Sequence, residues 1–206
     1  MVGTKHHGDM QDNAVEAHPG DVITQVHTAA QSSLPYRPNV VLINAGANDC
    51  KLQLDIPNAG ARMRAMIEDI LNYDGMQKTT IILSTLTPSS DPQTAANIPA
   101  VNEQYRELVI TMRKEGVSIV LAEMNPPASV AEHNLISWPL DYTTNDKADP
   151  THPNDCGYSK MARIWYDAIN EAYDQNLIVK AGVMAASETC EGGSCNTVGV
   201  LYARKG

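Results

Sequence analysis

No run of this chain approaches the roughly 20 consecutive apolar residues that a membrane-spanning helix needs, although 43% of its 206 residues are apolar. A helical membrane span is thereby excluded. Basic residues are in short supply: 15 lysines and arginines face 24 aspartates and glutamates, giving a net charge of −9. No local cluster of cations offsets this, so the chain repels phosphate backbones and nucleic acid is excluded as a partner. The opening Met1-Val2-Gly3-Thr4-Lys5 lacks the basic start and apolar middle of a secretion signal, so the protein is either cytosolic or has had its signal removed. Cysteine is scarce as well, and the four present fit two disulfides or four buried thiols equally well on count alone. At 22.3 kDa the chain is long enough for one well-packed core and too short for two comfortable ones.

What is present is a repeating signature of apolar runs. "NVVLINAG" (39–46), "TTIILSTL" (79–86) and "VSIVLAEM" (117–124) each read as a buried parallel strand. Segments with helical period lie between them. Met63, Met66, Ile67, Ile70 and Leu71 share one face after Asp55-Ile56-Pro57. Ile98, Val101, Tyr105, Leu108, Val109 and Met112 share another, which stops at Gly116. A further helix is expected over about 21–31, and a last one over about 154–175 that buries Met161, Ile164, Trp165 and Ile169. Strands alternating with helices imply a parallel sheet and an α/β fold. Residues 125–148 show no period of either kind, and so long an irregular stretch inside a domain usually serves a site. After Val179 small residues dominate until a short apolar run, 198–203.

In an open parallel sheet, ligands gather beyond the carboxyl ends of the strands. "GAND" (46–49) sits at such an end. Its Asn48 either aims an amide at developing negative charge or belongs to a plain turn. "HPGDVITQV" (18–26) puts Gly20 and Asp21 ahead of a helix, as an anion-facing N-terminus or an ordinary cap. "DPTHPNDCGYSKMA" (149–162) places Asp149 three residues before His152. That spacing lets the carboxylate take the Nδ1 proton and leave Nε2 free as a base; a histidine in a surface turn is the bland alternative. His6, His7, Asp9 and Asp12 read as an exposed polar loop rather than a metal site. Asp141, Asp146 and Asp149 lack the regular spacing of a calcium loop. Neither a metal nor a cofactor is expected. Trp138, Pro139 and Tyr142 form either a sugar-stacking wall or the core anchor of the long loop.

Taken together and in this order, "MVGTKHHGDMQDNAVEAHPGDVITQV", "GANDC" and "DPTHPNDCGYSKMA" resemble blocks of the SGNH (GDSL-type) hydrolases. They are most similar to carbohydrate esterase family three, the acetylxylan-esterase-like group, whose members read close to "FVGS…DNDNEGHSGWTIDQI", "GTND" and "DGTHPN..GY.KMA". The likeness covers roughly residues 1–176. It implies a three-layer, flavodoxin-like parallel sheet, here lacking the first strand and most of the second. Residues 1–178 form the hydrolase-like domain and 179–206 a tail with a possible added strand at 197–203.

By the same likeness His152 is the general base, Asp149 its orienting carboxylate, and Gly20 and Asn48 the oxyanion donors. The substrate expected is a small acyl ester or an acetylated polysaccharide, cleaved by a Ser-His-Asp mechanism. A non-catalytic carbohydrate- or protein-binding relative is the alternative. The family's nucleophile, the serine of a "GDSIT"-like motif, belongs upstream of the "VGT" at 2–4, and no serine of this chain stands in that context. The resulting slot beside strand 39–44 is expected to be filled by segment 197–203 or by a partner chain through swapping or dimerisation. Cys50 and Cys156 follow blocks that meet at one site, so a disulfide between them is expected, with Cys190 and Cys195 closing a small loop; two bridges imply an extracellular parent protein.

Overall fold

The computed structural model describes residues 1–127, 136–145 and 147–180, together with the backbone of 198–202. Three strands lie where the apolar runs place them: β3 (Val40–Asn44), β4 (Thr80–Ser84) and β5 (Ile119–Ala122). Their order is sequential and parallel, with Val41 opposite Ile81 and Ile81 opposite Ile119. Two short strands precede them, β1 (Lys5–His6) and β2 (Ala14–Ala17), joined as an antiparallel pair. The last strand, β8 (Val198–Tyr202), runs parallel between β2 and β3, with Asn44 opposite Tyr202. The full order is β1-β2-β8-β3-β4-β5. The middle of the sheet is thus occupied by the carboxyl-terminal apolar run, whose register brings its end to the same edge as the end of β3.

Alternation along the strands divides the core in two. Val41, Ile43, Ile81, Leu83 and Ile119 point to one face, where they pack against α1 (Ile23–Ala30), α2 (Ala47–Leu52), α3 (Ala59–Asn72) and α4 (Pro92–Lys114). Val40, Leu42, Ile82 and Val120 point to the other, covered by α5 (Asp155–Asp174) through Met161, Ala168 and Ala172. Both faces are therefore buried, which is why the strands read as unbroken apolar runs. Met63, Met66, Ile67 and Ile70 of α3 are completely buried, and removing each such side chain from water contributes about 1.5–3 kcal/mol.

Within the long irregular stretch, Leu140–Tyr142 makes one 3-10 turn, and β6 (Thr143–Thr144) pairs with β7 (Lys147–Ala148) in a small hairpin. Asp141 is buried, paired with Lys160 at 2.7 Å and accepting the Ser137 N–H at 2.7 Å, so it anchors the loop. Tyr142 is buried with its hydroxyl donating to the Pro88 carbonyl. Asp146 lies outside the described residues, as do Cys190 and Cys195.

The expected bridge between Cys50 and Cys156 is not formed: both are free thiols. The reason is the helical turn of α2. Asn48 and Lys51 face outward from that helix toward the cleft, while Cys50 points into the core with Ile23, Met63 and Ile98. Cys156 sits exposed on the first turn of α5. Two blocks of sequence meet, but these side chains leave them in different directions. Burial, then the neighbouring Asp49 charge, pushes the Cys50 thiol up to about 12, so it stays protonated and inert. The inference of an extracellular parent from two bridges loses one of its two supports.

Candidate active site

The site grows from the carboxyl end of β3. There the chain turns directly into α2 through Gly46, whose φ of +117° only glycine adopts freely. A Cβ at this position would stand 2.7 Å from the Tyr105 hydroxyl, which is itself held by donating to the Ala45 carbonyl at 2.9 Å. This tight turn sets Asn48 one residue into the helix, at the mouth of the cleft. Asp49, completely buried, accepts the Ile23 N–H at 2.9 Å and is ion-paired with Arg62, which fastens α2 to the start of α1 and to α3.

Asn48 donates from Nδ2 to the Asp21 carbonyl at 2.9 Å. This amide thereby holds the turn that contains Gly20. Gly20 has φ +87°, in a turn closed by the Asp21 N–H donating to the His18 carbonyl at 3.3 Å. Among the described residues no backbone acceptor takes the Gly20 N–H. Behind the turn lies Glu16, a buried carboxylate. It receives the Thr4 N–H at 3.0 Å, the Thr4 hydroxyl at 2.8 Å and the Ser33 hydroxyl at 2.5 Å, and bonds His18 Nε2 at 2.5 Å. Burial raises its pKa, but these hydrogen bonds outweigh that and hold the group below the ordinary value.

His152 enters from the loop before α5. Its Nδ1 is 2.9 Å from Asp149 Oδ1, and the same oxygen accepts the backbone N–H groups of Thr151 at 2.8 Å and His152 at 2.7 Å. Burial raises the Asp149 pKa, yet the donors from His152 and Thr151 win and bring it to about 2. The ionised carboxylate fixes the proton on Nδ1 and leaves Nε2 as the free base. The loop is pinned to the turn after β4 by the Pro150 carbonyl, which accepts from the Ser89 hydroxyl and the Ser90 N–H, each at 2.8 Å.

Asn48 and His152 line one cleft of about 90 Å³, together with Asn44, Lys51, Ser89 and Tyr158. Gly20 is connected to it through Asp21 and Asn48. His152 and Asp149 also wall a second, more open recess with Tyr142 and Lys147. Trp138, 37% exposed, packs at 5.4 Å against Tyr142, which has its edge in that recess and its body in the core. Sequence reasoning missed Thr151, Lys51 and Lys147. The first is implicit in any Asp-x-Thr-His turn; the two lysines carry no signal until the fold places them. Among the described residues no serine hydroxyl bonds to His152; its side-chain hydrogen bonds are to Asp149 and, at 3.3 Å from Nδ1, to the Thr151 hydroxyl. The structure thus brings His152, its carboxylate partner Asp149 and the Asn48 amide together around one cleft, while Gly20 lies outside the cleft lining, one residue before the Asp21 carbonyl that Asn48 holds.

Residues 3–160 match the sequence profile described as the GDSL-like Lipase/Acylhydrolase family. No curated protein matches the chain in sequence. Among solved structures, the chain is similar to a family 3 carbohydrate esterase of Clostridium thermocellum, at 20% identity and TM-score 0.65, over 84% of this chain and 79% of that one. It is also similar to a carbohydrate esterase family 3 protein from Talaromyces cellulolyticus, at 18% identity and TM-score 0.66, over 84% and 82%. A third likeness is to a mutant acetyl esterase solved with acetate ion, at 19% identity and TM-score 0.60, over 84% and 82%. At these identities the structural likeness establishes the fold.

Proposed function

The chain belongs to the GDSL-like lipase/acylhydrolase family, and from that premise we propose that its cleft is the site of a carboxylic ester hydrolase that removes acetyl or another small acyl group from a carbohydrate. The observation that carries this reading is the hydrogen bond from His152 Nδ1 to Asp149 in a loop that shares its cleft with Asn48. In the reaction, a serine attacks the ester carbonyl while Nε2 of His152 takes its proton. The oxyanion is met by the Asn48 amide and the Gly20 N–H, and the imidazolium returns the proton to the leaving alcohol. Water then repeats the cycle on the acyl-enzyme.

The serine is the open part of the proposal. Without it, a base and oxyanion donors give only residual acceleration. A non-catalytic binder built on the same cleft is the second reading, favoured by the absence of a serine partner for His152 among the described residues. Hydrolysis of p-nitrophenyl acetate distinguishes them. The chain alone is expected to give marginal turnover, and a version extended at its amino end by a serine-bearing strand to give turnover that His152→Ala abolishes. Turnover indifferent to His152→Ala overturns the esterase reading, and carbohydrate binding without turnover in any version establishes the second.

A further inference from the structure

His152 lines two recesses of an acidic protein, and each of them also carries a lysine. In one, Lys51 shares the lining with Asn48 and His152, and it is the one residue of that lining with a full charge at neutral pH. Asn48 and Lys51 are three residues apart on α2, so their Cβ atoms stand about 5–6 Å apart on one helix face, and the ammonium reaches the neighbourhood of the oxyanion. In the other, Lys147 of β7 shares the lining with Asp149 and His152. Both lysines are exposed. The chain carries 24 acidic residues against 15 basic ones, so a cation in each recess beside the proposed base runs against its overall charge.

Among the described residues, two carboxylates near these lysines each have one oxygen engaged. Asp91 lies close enough to Lys51 to feel its charge, but its Oδ1 caps α4 by accepting the Thr94 N–H at 2.9 Å and the Thr94 hydroxyl at 2.6 Å. Asp149 Oδ1 is taken by Thr151 and His152. Each lysine ends in three N–H donors on a flexible stem, suited to a carboxylate that arrives from solvent.

From this placement we infer that the substrate is an acidic carbohydrate, one whose sugar residues carry carboxylates on both sides of the esterified position. The inference rests on the carbohydrate-ester reading of the same cleft. Lys51 receives the carboxylate of one sugar and Lys147 that of the next, with the ester held between them at His152.

Binding tests this without calling on the missing serine. The probes are trigalacturonate and its neutral counterpart xylotriose, each titrated into the whole chain at low salt and followed by the His152 ring resonances. Trigalacturonate is expected to bind about tenfold more tightly, since an exposed ion pair is worth up to roughly fivefold and two act together. The preference should shrink severalfold in Lys51→Gln and in Lys147→Gln, persist in Lys51→Arg, and fade at high salt. Equal binding of the two probes overturns the inference and leaves the esterase reading standing. Binding of neither probe overturns both.

Discussion

Replacing Asp49 by alanine is the sharpest stability test of how the site is held. Its carboxylate is completely buried, accepts the Ile23 N–H at 2.9 Å and pairs with Arg62. Arg62 in turn donates to the carbonyls of Leu54 at 2.8 Å and Asp55 at 3.0 Å, while its Nε makes no hydrogen bond and stands 3.9 Å from the half-exposed Asp55 carboxylate. Breaking one side of a buried ion pair costs about 3–5 kcal/mol, because the other charge stays behind uncompensated. The Arg62 side chain keeps 16% of its surface in solvent, which moves the expectation toward the lower end, about 3 kcal/mol. Urea unfolding followed by circular dichroism measures it, with Arg62→Met and the double variant alongside. The double variant should be less destabilised than the two singles combined, by about 1 kcal/mol or more, since the stranded charge is then gone. A loss below about 1 kcal/mol for Asp49→Ala, or strict additivity, refutes the claim that this pair clamps α2.

Other outcomes follow from the same structure. Asn102 is buried and its side chain accepts the Leu86 N–H at 2.7 Å and donates to the Leu86 carbonyl at 3.0 Å; Asn102→Ala leaves both groups unpaired and should cost about 2–4 kcal/mol in urea unfolding. Asp149 has an ordinary value of 3.8 and about 2 in the fold. Because the folded value is the lower, its contribution is present above pH 3.8 and is lost as the pH falls toward 2. Asp149→Asn should therefore flatten the stability profile across that window, and an unchanged acid profile counts against the hydrogen-bond set described. Alkylation by iodoacetamide with peptide mapping should label Cys156 in the native protein and Cys50 only after unfolding; protection of both until reduction would restore the disulfide.

The parts legible in the sequence were those whose signal is local. The three apolar runs became β3, β4 and β5, and the helical faces of α3 and α4 are the buried ones. His152 and Asp149 were readable because three residues of spacing already decide their contact. Asn48 was readable as a residue at a strand end, but not the helix α2 that carries it: six residues are too few for period to show, and Gly46 looks like a turn glycine until Tyr105 is seen beside it. Strand β2 was hidden for a different reason. Its Glu16 is a buried carboxylate, which no hydrophobic pattern announces and only the donors Thr4, Ser33 and His18 explain. The cysteine pairing failed because contact between two blocks says nothing about which way a side chain leaves its helix.

Whether Gly20, Asn48 and His152 act as one acyl site is tested most directly by titrating acetate into isotopically labelled protein. No nucleophile is required, and the signals followed are the Gly20 amide, the Asn48 side-chain amide and the His152 ring. All three are predicted to shift together along a single saturation curve, which Asn48→Ala weakens while Ser159→Ala, on the exposed side of α5, does not. Saturation at His152 with Gly20 and Asn48 unmoved would contradict this, leaving a histidine beside a carboxylate and no oxyanion site around it.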